Sequence, residues 1–149
     1  MSELDPGRSR RYLDRAQSYG RAATTLALLG IPEEGHQPFF MLVSHAVELA
    51  LKAVIAGGDA DDERLIILGH DLTLCLRVAG EQGLDLDTCG REVEAVVGAL
   101  AMPHLAQVLR YPAHLDWPLP DPAQALEALE SLLSCIEDLL GCPDAPFLH

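Results

Sequence analysis

Aromatic side chains are scarce in this 149-residue chain, at 5% of positions with a single tryptophan, although 49% of its residues are hydrophobic. Alanine and leucine dominate instead, which favours helices packed through small aliphatic side chains over a β sandwich. Lysine is almost missing: Lys52 is the only one, and every other basic residue is arginine. Basic charge as a whole is short, with 10 Lys and Arg against 23 Asp and Glu, a formal net charge of −13. That balance counts against a free-standing nucleic-acid binder, which needs a basic face to release counterions from phosphates. Residues 1–21 differ, with Arg8, Arg10, Arg11, Arg15 and Arg21 against Glu3, Asp5 and Asp14. This basic first segment is read as a solvated helix face, with a partner, a phosphate or its own twin in a dimer as alternatives.

Other absences narrow the chemistry. Cys75, Cys89, Cys135 and Cys142 show neither CxxC pairing nor zinc-knuckle spacing, and Cys75 within an apolar run reads as a buried, reduced thiol. The arginine-rich N-terminus carries acids and has no apolar h-region, so no signal peptide is expected. No run reaches the roughly 18 uninterrupted apolar residues of a membrane span, because His45, Glu48 and Lys52 break the best candidate. A soluble, cytoplasmic protein is the expectation. No serine or cysteine sits in a nucleophile elbow, and Gly57-Gly58 follows a helix rather than opening one as a phosphate loop does.

What is present is helical periodicity. The length suits one domain over 1–149, with 1–7 and 142–149 disordered or frayed. Tyr12, Ala16, Tyr19, Ala23 and Leu26 predict a helix from near Arg8 to Leu29, stopped by Gly30 and Pro32. A second helix runs from Gln37 to Ala56. Arg64 to Leu68 reads as an irregular segment, and a third helix starts at His70 or Asp71 and closes at Gly83. Asp87 or Thr88 caps a fourth, which Pro103 should kink or break near Met102, with a further piece from His104 to Arg110. An extended connection holding Trp117 leads to Asp121, the N-cap of a fifth helix that ends at Gly141. The expected fold is all-α, a single up-and-down bundle of four to five helices.

The second helix is apolar on most of its circumference, as in a bundle's central helix. Its polar stripe is His45, Glu48 and Lys52, which steps of three and four keep within about 60° of one another. The plain reading is an ordinary Glu-to-Lys ion pair at i, i+4. The functional reading converges Glu48, Lys52, His45, His70 and Arg110 into one polar pocket, since an unpaired buried charge costs several kcal/mol. His45 and Glu48 also have the i, i+3 spacing of bundle-core metal ligands. The remaining ligands do not assemble, with His104 a lone candidate and His36 and His114 in loops. Neither a metal nor a cofactor is expected.

The Ala46-Val-Glu48-Leu-Ala-Leu-Lys52-Ala-Val helix, followed by Gly69-His70-Asp71-Leu72 17 residues after the lysine, resembles the HEPN domain. Leu109-Arg110-Tyr111-Pro112 is similar to the arginine-tyrosine segment of many such domains. The resemblance covers roughly residues 38–112. It implies a helical bundle that commonly dimerises, in a nucleotidyltransferase-associated, toxin–antitoxin or defence setting where the partner is a nucleotidyltransferase or an antitoxin. Many members are metal-independent ribonucleases with an arginine, a gap of four to six residues, and a histidine near the start of a late helix. In that scheme the imidazole moves protons and the guanidinium steadies charge on phosphate. Arg64 and His70 have a gap of five, and Arg110 and His114 a gap of three. The leading expectation is an interaction or ligand-binding module rather than an enzyme. The alternatives are a ribonuclease using His70 or His114 with Arg64 or Arg110 and, more remotely, a metal-binding bundle.

Overall fold

The helix at the centre, α2 (His36–Ala56), presents buried residues along its whole length, from Phe39 and Phe40 through Val43, Val47 and Leu51 to Ile55. The computed structural model describes residues 6–30, 36–107, 109 and 118–141. Among these the chain is all-helical and contains no strand. Its seven helices are α1 (Pro6–Leu28), α2, α3 (Asp62–Leu68), α4 (Leu72–Glu81), α5 (Leu86–Cys89), α6 (Arg91–Leu105) and α7 (Pro122–Leu140). The all-α expectation holds, and the helix count exceeds the four or five expected because two short helices, α3 and α5, add to it.

Helix α2 packs against α1, α4, α6 and α7, most extensively against α1. By length and composition alone it would serve as a membrane span. However, 78% of its most apolar window is buried among the other helices, as in a core helix. Each large aliphatic or aromatic side chain so buried contributes roughly 1.5–3 kcal/mol, and Leu13, Leu72, Leu100, Leu129 and Ile136 close over α2 from four other helices.

Several boundaries differ from the sequence reading. Residues 6 and 7 open α1 rather than fray, while 1–5 and 142–149 lie outside the described residues, as do Cys142 and the connection around Trp117. Arg64 to Leu68 belongs to a helix because Asp61 caps it: the Asp61 Oδ1 accepts from the Arg64 amide at 2.8 Å. Asp71 caps α4 in the same way through the Leu74 amide at 3.0 Å, and α4 ends at Glu81 with Gln82, not Gly83, as its C-cap. Asp85, not Asp87 or Thr88, provides the next cap, and it starts the four-residue α5; α6 follows from Gly90 without a side-chain cap. Asp121 caps α7 with Pro122 in its first turn.

The largest departure is at Pro103. Helix α6 runs through it to Leu105, and the Ala106 amide bonds the Met102 carbonyl at 2.9 Å across the proline. Pro103 forfeits its own bond to the preceding turn, and the helix still continues past it to Leu105. The interior of the molecule gains a histidine by this continuation.

Candidate functional site

Glu48 is the hub of the molecule's buried polar chemistry. It lies in the middle of α2, 4% exposed, and both its oxygens are engaged. Oε2 accepts from Lys52 Nζ at 2.9 Å, one helical turn along. Oε1 takes two imidazoles, His70 Nδ1 at 2.8 Å and His104 Nε2 at 2.7 Å. Lys52 donates onward to the Gly69 carbonyl at 2.8 Å. Three segments of chain are thereby tied together: α2, the link between α3 and α4, and the last turn of α6.

Local sequence explains how each group arrives. Glu48 and Lys52 share a face through i, i+4 spacing. Gly69 terminates α3 with φ of 57°, a left-handed conformation that glycine adopts at little cost. The resulting turn delivers the Gly69 carbonyl to Lys52 and the His70 ring to Glu48 in consecutive residues. His104 follows Val93, Val97 and Leu100 along the buried seam of α6 and is 4% exposed. The His70 and His104 rings meet edge to face with centroids 5.3 Å apart.

The charge state of Glu48 follows from these contacts. Burial works against its charge, but the hydrogen bonds from His104, His70 and Lys52, with the lysine's positive charge, outweigh it and hold the carboxyl at about 2. An ionised carboxylate only accepts, so both imidazoles present N–H to it. His70 therefore carries its proton on Nδ1 and His104 on Nε2. His70 keeps 32% of its side chain exposed, whereas His104 keeps 5%. A carboxylate-oriented, half-exposed imidazole is suited to proton transfer, and a sealed one to fixing geometry.

The other residues singled out in the sequence fall in different places. His45 is half-buried on α2, its ring edge-on to Tyr19 with centroids 4.5 Å apart. The ligand atoms of His45, Glu48 and His104 all lie within 4.8 Å of one another. Arg64 is exposed in the first half of α3 and is not among the groups bonded to Glu48. Arg110 and His114 lie outside the described residues. His36, expected in a loop, is the first residue of α2. His104 stands alone in the sequence reading because Pro103 reads there as a helix end; extending the 93, 97, 100 spacing by one turn places it on the buried seam.

Two arginines of α1 tie that helix to the rest of the fold. Arg8 donates to the Ala56 carbonyl at 2.9 Å and to the Ala60 carbonyl, closing the C-terminal end of α2, and pairs with Asp62 at 3.2 Å. Arg10 pairs with Asp14 at 3.1 Å and with Glu137 of α7 at 2.9 Å. A cleft of about 650 Å³ lies between α1 and α7, lined by Gly20, Arg21, Leu129 and Leu133 among others, and contains none of the predicted site residues. Burial pushes the Cys75 thiol up to about 11, the state of an inert core cysteine.

Comparison with known proteins adds no relative: no family model matches the chain, and no curated protein or solved structure matches it.

Proposed function

We propose that this chain is a HEPN-like helical interaction module, cytoplasmic, that pairs with a second copy of itself. The observation that carries this reading is a group of apolar side chains left in solvent around the Glu48 network. Ile66 is 76% exposed, Ile67 71%, Met102 53% and Leu105 45%. The isoleucines lie within four residues of His70, and Met102 and Leu105 flank His104, whose ring touches that of His70. Large apolar residues left in solvent on α3 and at the end of α6 favour association, and pairing such a surface with its own copy gives a two-fold dimer. The Glu48 network ties the turn after α3 and the last turn of α6 to α2.

Light scattering of the purified chain tests this reading. The expected result is a dimer that becomes a monomer in the double variant Ile66→Arg, Met102→Arg, with helicity unchanged and melting no longer dependent on protein concentration. A monomeric wild-type protein, or a dimer that survives the double variant, sinks the proposal. The family resemblance extends the partnership to a nucleotidyltransferase or an antitoxin protein in a toxin–antitoxin or defence setting.

One observation favours a second reading, a metal-independent ribonuclease. His70 is held by an ionised carboxylate through Nδ1 while part of its ring remains in solvent, the arrangement of a general acid or base. Arg64 or Arg110 would then steady charge on the phosphate, with His114 the other histidine in play. The net charge of −13 opposes RNA binding. RNA cleavage in EDTA, abolished by His70→Ala with helicity intact, is the outcome this reading requires; no cleavage by the wild-type chain removes it.

A further inference from the structure

We propose that His45, Glu48 and His104 form a binding site for a divalent transition cation, with zinc the best match, and that His70 supplies a fourth ligand. This inference is independent of the pairing proposed above. Two imidazoles and one carboxylate, drawn from two helices, bring their ligand atoms within 4.8 Å of one another. Tetrahedral bonds of about 2.0–2.2 Å set neighbouring donor atoms about 3.3–3.6 Å apart, so the His104–Glu48 contact at 2.7 Å opens and the wider pairs close as the side chains rotate onto an ion. His70 Nδ1 stands 2.8 Å from the Glu48 oxygen that His104 also contacts, so a cation on that oxygen has a second imidazole beside it.

The donor set selects the ion. Nitrogen and carboxylate oxygen without thiolate suit zinc, cobalt or iron, and exclude the all-oxygen preference of calcium and magnesium. With His70 the set is three imidazoles and one carboxylate, a tetrahedral shell that zinc can expand to five by taking a water. Ser44 offers a separate indication. It sits one turn before Glu48 on the same stripe of α2, is fully buried, and its hydroxyl has no hydrogen-bond partner among the described residues. A buried hydroxyl with no partner is costly to the fold, and a water held by a cation at Glu48 would satisfy it.

Lys52 makes the site self-guarding. Its ammonium already lies 2.9 Å from Glu48 Oε2, so an incoming dication meets a carboxylate whose charge is neutralised and a like charge close by. Binding also requires each imidazole to move its proton to the other ring nitrogen and offer its lone pair to the ion. No net proton need leave, because neutral imidazole carries one proton in either tautomer. The lysine therefore sets the affinity: it keeps the network closed without metal and opposes loading.

The test uses the full chain stripped with EDTA and desalted, titrated with Co²⁺ for its visible absorption and with Zn²⁺ by calorimetry. One equivalent is expected, with cobalt bands of nitrogen and oxygen ligation and no thiolate charge transfer. His45→Phe keeps an aromatic ring against Tyr19 and removes the nitrogens, and circular dichroism and melting verify that the variant is folded. It should weaken binding by at least the roughly 10–100-fold that loss of a supporting contact costs at metal sites. His104→Asn should do the same, and Lys52→Met should tighten binding by about tenfold or more through removal of the like charge. Absence of stoichiometric binding in the wild-type chain overturns the proposal. So do a thiolate band, unchanged affinity in His45→Phe, or unchanged affinity in Lys52→Met, since each places the ion elsewhere.

Discussion

Glu48 and Glu137 are both carboxylates that tie helices together through short bonds to basic groups, yet the fold uses them differently. Glu48 receives Lys52 at 2.9 Å and His104 at 2.7 Å with 5% of its side chain exposed. Glu137 receives Arg10 at 2.9 Å with 43% exposed. Contact length alone would rank them equal. Burial separates them, because the low dielectric of the core strengthens each attraction and makes any group left without its partner expensive. At the surface, water and salt compete for both partners, and the net gain is small.

The sharpest way to break this comparison is Glu48→Ala. Removing the hub strands Lys52, His70 and His104 together, and a broken buried pair costs about 3–5 kcal/mol. Against a total stability of roughly 5–15 kcal/mol, the variant should unfold at a much lower urea concentration or fail to fold. A loss below about 1 kcal/mol would mean that water reaches the network and that Glu48 resembles Glu137 after all.

Acid should undo the same network more gently. The folded-state carboxyl of Glu48 is held at about 2, below its ordinary 4.5. A depressed value means that this contribution is fully present above about 4.5 and is lost as the pH falls through about 2. The difference amounts to up to about 3 kcal/mol. Urea unfolding between pH 6 and pH 2, in EDTA, should show this decline in the wild-type chain and a shallower one in Glu48→Gln. Parallel profiles would assign the acid sensitivity to other carboxylates.

Part of this centre is legible in the sequence. The stripe of His45, Glu48 and Lys52 follows from helical spacing, and the need of a buried charge for partners points to His70 after the glycine turn. His104 is out of reach by the same route once Pro103 is taken as a stop, because a proline's local effect then outranks the apolar seam that continues past it. The short helix α3 is hidden for a related reason. Its five apolar-rich residues carry no decisive period, and the deciding feature is the Asp61 side chain bonding the Arg64 amide. Likewise Arg8 reads as a surface charge, since nothing in its own helix announces that carbonyls at the end of α2 wait beside it.

Arg8 lies between the two extremes and so calibrates them. Its side chain is 18% exposed and donates to carbonyls at the end of α2 as well as to Asp62. Hydrogen bonds from a charged donor contribute about 1.5–3 kcal/mol, so Arg8→Ala should cost an amount between those of the core and surface networks. Arg8→Lys should recover only part of it, because a single ammonium cannot span the same set of acceptors. Complete recovery in the lysine variant would show that charge near the α2 terminus, rather than the fork of donors, is what counts.

The smallest effect belongs to Arg10 and Glu137, and it decides whether burial is the right explanation. A double-mutant cycle with Arg10→Ala and Glu137→Ala isolates their coupling from the packing of the two side chains. For a pair this exposed the coupling should be about 0.2–1 kcal/mol and should shrink in 1 M salt, where the screening length falls to about 3 Å. The same cycle on Glu48 and Lys52 should be larger and nearly unchanged by salt, since mobile ions do not enter the core. If the surface pair proved as strong as the buried one, or equally indifferent to salt, bond geometry and not dielectric environment would be setting the energies. The link from α1 to α7 would then be a second structural centre and not a decoration of the surface.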